Sequence, residues 1–462
     1  MQAKSSLFFI IKKMNKKFKN IVIANDTEAF ESIINTINDR SKKAVKINKE
    51  HFLSSRFLFW EGDNKIVITP FPVEQPILSQ AKSIGYKNIE NWYPSKIGIS
   101  LSDAIIKDSV LFDKLKKIIK NNPGIILSSY CYTKKLANLI NVLKKENLKF
   151  HVDQLPKDKL EWLVGYLGSK VGFRLEMNKL KEIPKPKSFI SESKAGIVKS
   201  AIWFYKQNKS CVVKAYSGEG GWGVLIIHKN VIFSETDLRK KLRKIFSKDA
   251  IWDTGPYVVE EFIYSSDGDE NSPSLEVFID DKGSEITYMC DQIVDPSGAF
   301  LGILMGKECL RADTIEKMSK IGNIIGNQYS RLGYRGFFDI DFIISKDGIL
   351  YPIETNVRRT GGTHVFDLTK KLFGKDWANK TVALSKDLFC YGDKVLLAKE
   401  VLNKMSEIIF PIKGKKKGVV VVAVNSHEPY FSFVIFAPNK LDVLDINKKL
   451  TSIWNDGTLD VQ

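Results

Sequence analysis

The segment from Gly336 to His364 constrains the chain more than any other. Phe337 to Ser345 alternates acidic and apolar residues, Lys346-Asp347-Gly348 supplies a turn, and Ile349 to Asn356 runs back. This pattern predicts a β-hairpin. Residues directly opposite in such a pair lie roughly 4.5–5.5 Å apart, so Asp341, Glu354 and Asn356 would converge from neighbouring strands. Two carboxylates and an amide are hard oxygen ligands of the kind that suits magnesium.

An isolated Glu-x-Asn on a hairpin is most often a solvated polar face. Here Arg358 and Arg359 follow at once, and then the small-residue turn Gly361-Gly362-Thr363-His364. Fixed positive charge beside a carboxylate cluster is the arrangement that phosphate chemistry requires.

The rest of the composition bounds this reading. At 462 residues the chain is long enough for two to four domains, each with a core of its own. No apolar run approaches the roughly 18 residues of a membrane span, so no membrane partner is expected. The apolar run Leu7 to Ile11 is too short for a signal peptide and lacks a small-residue cleavage site. Met14, ahead of a lysine-rich stretch and the strand-like Ile21-Val22-Ile23, suggests an internal start that leaves the first 13 residues without a structural role, and residues 1–19 are expected to be disordered. Five scattered cysteines with no Cys-x-x-Cys pair indicate neither zinc nor a disulfide framework, which points to a reducing cytoplasm. The net charge of +18 suits anionic substrates, but the lysines are dispersed except at Lys413 to Lys417, which argues against nucleic acid as the principal partner.

Along the chain, strand and helix signals alternate from residue 20 to about 165: strands at Ile21–Ala24, Phe57–Trp60, Lys65–Thr69 and Gly124–Leu127, helices near Glu28–Ile37 and Leu111–Lys120. That rhythm predicts an α/β layer on a mostly parallel sheet. No Gly-x-Gly-x-x-Gly follows the first strand, so a dinucleotide fingerprint is missing. A helix from about Ser169 to Leu180 and the Pro184-Lys-Pro186 break lead into an α+β unit of antiparallel strands. From about Asp393, two helices and two strands suggest a small appended α/β domain. The expected division is 1–165, 166–392 and 393–462.

Two segments of the middle unit bear chemistry. Lys214 ends a strand and precedes a glycine-rich loop containing Ser217, Gly218, Glu219, Gly220, Gly221 and Gly223, a charge followed by a flexible backbone that can fold over phosphate oxygens. A tight hairpin is the plainer explanation, and Gly-Lys-Ser/Thr is absent, so this is not a Walker A loop. Downstream, Glu260-Glu261-Phe262-Ile263 ends a strand at a polar loop, where backbone groups could bond an adenine while Ile263 packs on it.

The order of these features, lysine, glycine loop, Glu-Glu strand and acid hairpin, resembles the ATP-grasp superfamily of carboxylate–amine ligases. The thirteen-residue step from Asp341 to Glu354 resembles that family's spacing. More narrowly, Ser272-Pro273-Ser274-Leu275-Glu276, Asp291-Gln292, Gly302 and Glu354 through His364 resemble the peptide ligases with a pre-ATP-grasp domain of the pheganomycin-maturing type, over most of residues 50 to 440. Two positions depart from the pattern: Val365 stands where proline is expected, and Asp339 stands where relatives of D-alanine ligase carry an arginine, which argues against that activity.

The resemblance implies a pre-ATP-grasp α/β domain over 1–165, an ATP-grasp core of two α+β subdomains over 166–392 and a small C-terminal domain. It implies ATP as cosubstrate, contacted by Lys170, Lys214, the glycine loop and Glu260 to Ile263. Mg2+, or Mn2+ in its place, would sit on Asp341, Glu354 and Asn356. Arg358, Lys214 and Arg359 would be catalytic, and Gln292, Arg359, Gly361, Gly362 and His364 would shape the substrate pocket, with His364 more plausible as a structural residue than as a base. The implied reaction joins a carboxylate to an amine, of amino acids or peptides, through an acyl phosphate with release of ADP. Carboxylation, thioester formation and a non-catalytic nucleotide-binding regulator are the alternatives. A homodimer is the default assembly.

Overall fold

The protein is described from a computed structural model, over residues 17–157, 160–216, 218, 222–231, 234–248, 250–266, 270, 272–295 and 298–454. Most of the expected 1–19 leader therefore lies outside the described residues, but Phe18 is buried and its N–H donates to Asn122 Oδ1 at 2.9 Å.

The first unit is a parallel five-stranded sheet in the order β3-β2-β1-β4-β5, formed by β1 (Asn20–Ile23), β2 (Lys65–Ile68), β3 (Ile89–Trp92), β4 (Ile125–Ser129) and β5 (Phe150–Val152). β1 and β2 are buried on both faces, as helix-covered parallel strands must be, which explains their continuous Ile/Val character. The expected strand at Phe57–Trp60 is instead a 3-10 helix over Ser54–Phe59. Phe57, Leu58 and Phe59 are all fully buried, and a short apolar run buried on every side carries no periodicity to distinguish the two states. Just before it, the helix Arg40–Leu53 starts at Asp39, whose carboxylate accepts from the N–H groups of Ser41 and Lys42.

The second unit is an antiparallel sheet in the order β6-β9-β7-β8, from β6 (Ser188–Ser191), β7 (Cys211–Lys214), β8 (Val224–Ile227) and β9 (Tyr257–Glu261). The helices Lys194–Lys206 and Glu235–Phe246 cover one face and pack Phe204, Leu238 and Leu242 into its core. Gly223, at φ +80°, turns β7 into β8, and its carbonyl accepts from Ala215 N–H at 2.8 Å.

The third unit is an eight-stranded sheet in the order β14-β13-β10-β11-β12-β15-β17-β16. Its strands are β10 (Pro273–Asp280), β11 (Gly283–Val294), β12 (Phe300–Gly306), β13 (Gly336–Ile344), β14 (Leu350–Asn356), β15 (Val382–Cys390), β16 (Gly418–Val424) and β17 (Tyr430–Ala437). The last two correct the expected domain division. β17 pairs with β15 from Val382↔Ala437 to Cys390↔Tyr430, so residues 393–454 complete the central sheet and share its core. The turn and strand signals were visible, but strand partnership is a non-local property that no local pattern states.

The first unit is fastened to this sheet by buried polar links. Gln80 bridges both backbone groups of Val421, accepting from its N–H at 3.2 Å and donating to its carbonyl at 2.6 Å. Arg56 pairs with Asp387 at 2.7 Å. At the β12–β15 contact a Cβ on Gly302 would fall 1.9 Å from the Ser385 carbonyl oxygen. Gly302→Ala should therefore destabilise the sheet by about 1–3 kcal/mol or more, seen as a lower denaturation midpoint; an unchanged midpoint would show that the two strands can separate without cost.

Candidate active site

β13 and β14 form the expected hairpin, and Asp341 pairs directly with Glu354, Asp339 with Asn356. Asn356 Nδ2 donates to Asp341 Oδ2 at 3.1 Å, and Gln292 Nε2 on β11 donates to Asp341 Oδ1. The three predicted oxygen ligands and Gln292 are therefore brought together. Burial, reinforced by the Glu354 charge, raises the Asp341 carboxyl to about 6. Asp339, on the same face of β13, is pushed well above the carboxylate range by burial and by Asp341.

Glu354 goes the opposite way. Burial opposes its charge, but Lys170, Lys214 and Arg358 outweigh burial and hold it below its ordinary value. Lys170 opens the helix Lys170–Lys179, whose N-cap Ser169 accepts from Gly172 N–H at 2.9 Å, and its ammonium pairs with Glu354. Lys214, at the end of β7, pairs with Glu260 at 2.5 Å and donates to the Ile353 carbonyl at 3.2 Å. Both lysines therefore converge on the end of β14.

One residue of this cluster escaped the sequence reading. Arg174, almost fully buried, pairs with the other oxygen of Glu260 at 2.5 Å. It lies four residues after Lys170, on the same helical face, which is the signal that could have found it. Glu260 is thus held between Arg174 and Lys214 rather than presented to a nucleotide, and its neighbour Glu261 turns outward to Lys209 at 2.7 Å. Phe262 and Ile263 do line the cavity.

That cavity, of about 950 Å³, runs between the units. Lys214, Trp222, Phe262 and Ile263 line it with Asp341 and Glu354, and Arg358, Gly361, Gly362 and residues of the helix Arg40–Leu53 complete the lining. Gly218 approaches Trp222 so closely that a Cβ would meet its carbonyl oxygen at 2.2 Å. Glu219, Gly220 and Gly221 of the expected ATP loop, and Ser217, lie outside the described residues. Gly361 and Gly362 line the cavity because side chains there would strike Phe300 at 2.9 Å and the Tyr288 hydroxyl at 2.4 Å.

The two arginines part company. Arg358 lines the cavity, its guanidinium 5.2 Å from the Phe30 ring centre and 5.6 Å from that of Tyr130. Arg359 points away, buried against Glu61 at 2.5 Å and Asp153 at 2.9 Å and stacked 3.8 Å over Phe337. These carboxylates belong to the first unit, so Arg359 fastens that unit to the hairpin and does not line the cavity. His364 is fully buried at the start of the helix Thr363–Phe373, and burial with Arg56 nearby holds its imidazole well below the ordinary range. It does not line the cavity either, unlike Gly361 and Gly362 with which the sequence grouped it. Glu276 of the family-like cluster accepts from Thr363 Oγ1 at 2.7 Å and so anchors the same helix start.

Over nearly its whole length the chain superposes on solved structures. One is the biotin carboxylase domain of Hydrogenobacter thermophilus 2-oxoglutarate carboxylase, solved with MgADP and bicarbonate, at TM-score 0.53 and 13% identity over 96% of this chain and 94% of that one. Another is the biotin carboxylase–β,γ-ATP complex from Campylobacter jejuni, at TM-score 0.55 and 15% identity over 93% and 90%. An N5-carboxyaminoimidazole ribonucleotide synthetase bound to ADP aligns at TM-score 0.52 and 12% identity over 95% and 97%. The chain has the ATP-grasp fold. In sequence, an L-propargylglycine–L-glutamate ligase from Streptantibioticus cattleyicolor is 28% identical over 118 residues, 25% of this chain and 23% of that protein, so the match spans about a quarter of each. No protein-family model matches. Within this ATP-grasp frame, among the described residues, no helix is long and apolar enough to cross a membrane.

The contrast between the adjacent arginines is testable. Arg359→Ala would leave Glu61 and Asp153 buried without their cation and should cost about 3–5 kcal/mol, read as a fall in denaturation midpoint. Arg358→Ala should lower that midpoint by less than Arg359→Ala does. Equal losses from the two variants would refute the division of roles.

Proposed function

We propose that the protein is an ATP-dependent carboxylate–amine ligase that forms an amide through an acyl phosphate. The observation that carries this reading is the convergence of Lys170, Lys214 and Arg358 on the paired carboxylates Asp341 and Glu354 at the wall of a cavity large enough for more than a nucleotide. The partial sequence match to a protein named as a ligase supports the amide-forming branch of this fold over carboxylation or thioester formation.

The donor set fits magnesium. Among the described residues no cluster of three or more His, Cys, Asp or Glu side chains stands ready to hold a metal. Mg2+ is commonly held by one or two carboxylates together with substrate phosphates, and Asp341 and Glu354, assisted by Asn356, provide that partial shell. When bound there, Mg2+ would offset charge on the phosphates as the terminal phosphoryl group is transferred.

The remaining roles fall to the chain's own residues. Lys170 and Lys214 would neutralise phosphate oxygens, and Glu260, pinned by Arg174, would fix where the Lys214 ammonium lies. Phe262 and Ile263 would form the apolar slot for the base. A carboxylate oxygen of the acid substrate attacks the γ-phosphorus of ATP, and the β–γ bridging oxygen leaves with ADP. The amine nitrogen then attacks the acyl carbon and phosphate departs. Arg358 would stabilise negative charge on the transferring phosphoryl group and on the tetrahedral intermediate. Trp222, on the cavity wall, would shield the acyl phosphate from water.

Glu354→Gln should abolish ADP formation while leaving the folded state intact, because the amide keeps the shape but loses the charge. Chelation of divalent metal should abolish activity and added Mg2+ or Mn2+ restore it. The decisive assay supplies a pool of amino acids and short peptides with MgATP, measures ADP release and identifies products by mass. With an 18O-labelled acid substrate, one label should appear in the released phosphate. Undiminished turnover in Glu354→Gln, or phosphate free of label, would overturn the metal assignment or the acyl phosphate respectively.

A further inference from the structure

The part of the cavity wall supplied by the first unit has a distinct chemistry. Its wall comes from the helix Arg40–Leu53, on which Lys46, Lys49, Glu50 and Leu53 follow the i, i+3, i+4, i+7 spacing and all line the cavity. Arg56 and Asp387 complete it. Two of the charges here are already matched in pairs: Lys46 with Glu50 at 2.8 Å and Arg56 with Asp387 at 2.7 Å.

Lys49 is different. It is half-buried and lines the same wall; its charge acts on Asp387, but among the described residues it closes no ion pair of its own. Among the side chains that line this wall, three cations accompany two carboxylates, and Lys49 is the cation left over from the two pairs. The phosphates of a nucleotide are provided for by Lys170 and Lys214, on other elements. A lysine on a cavity wall offers a charge-assisted hydrogen bond to a ligand anion. Phe30, Leu53 and Leu388 add apolar surface beside it, enough to seat a short aliphatic or aromatic body.

We propose that this wall recognises a free carboxylate that one substrate carries in addition to its reacting group, with Lys49 as the specificity-determining contact. The ligand class is an amino acid or short peptide with an unmodified carboxyl end, or a dicarboxylic acid. The inference rests on the ligase reading for which of these reacts, and not for the binding itself. Lys49 touches none of the residues assigned to the nucleotide or the metal in the contacts above. Gln has nearly the same helix propensity, so Lys49→Gln should fold normally.

The test measures binding and turnover separately on the full chain. Calorimetric titration compares free L-amino acids with their carboxamides, and glutarate with butyrate; ADP release is measured with the same compounds in MgATP. Free carboxylates should bind and the amides or butyrate bind at least tenfold more weakly. Lys49→Gln should erase that preference, raising KM for the carboxylate-bearing substrate about tenfold while kcat and the KM for ATP stay within about twofold, and Lys49→Arg should restore it. Preference among the amino acids places the carboxylate on the amine substrate, and preference for glutarate places it on the acid. Selective, Lys49-dependent binding without ADP release would uphold this site and remove the ligase reading. ADP release that is indifferent to amidation or to Lys49→Gln would do the reverse. Absence of binding by every compound would overturn the site.

Discussion

Two carboxylates held face to face on neighbouring strands are the constraint around which the cavity is organised. The register that pairs Asp341 with Glu354 buries like charges side by side, which is unfavourable unless something compensates. The compensation is uneven. Lys170 and Lys214 draw Glu354 into its charged form, while Asp341, further from them, titrates upward to about 6. A pair so poised has an appetite for a cation, and the surrounding hydrogen bonds from Asn356 and Gln292 orient its oxygens without neutralising them.

The supporting charges come from different parts of the chain. Glu260 on the small sheet holds Lys214 from one side while Arg174, on the helix after the first unit, holds Glu260 from the other. Arg359 reaches from the hairpin to Glu61 and Asp153 on the first unit. The cavity is thus a meeting place of three units, and buried ion pairs fix how those units approach it. Such pairs add little net stability, but removing one partner is costly, so they restrict the arrangement more than they strengthen it.

The hairpin was legible because acid–apolar alternation and the Lys-Asp-Gly turn are local signals, but the turn alone would set Asp341 opposite Ile353, and it is a bulge between Asp341 and Phe342 that opposes Asp341 to Glu354. The helix from about Ser169 to Leu180 was equally plain, and it forms over Lys170–Lys179 with Ser169 as its cap. What was not legible depended on distant partners. Phe57–Phe59 is an apolar run whose state is decided by burial on all sides. The strands β16 and β17 were recognisable as strands, but their place at the edge of the large sheet was not. Neighbouring arginines 358 and 359 look alike in sequence, and only the carboxylates of the first unit, 298 and 206 residues away in the chain, separate a half-buried cavity cation from a buried clamp.

The wall made by the helix Arg40–Leu53 belongs to a different unit from the hairpin. Lys46 on this wall lies over the Phe30 ring that also carries Arg358, whereas Lys49 stands one turn further along the helix. A lineage carrying this scaffold could therefore change what it joins while preserving how it joins it, and a laboratory library centred on position 49 would sample new partners while keeping the Phe30–Arg358 contact in place.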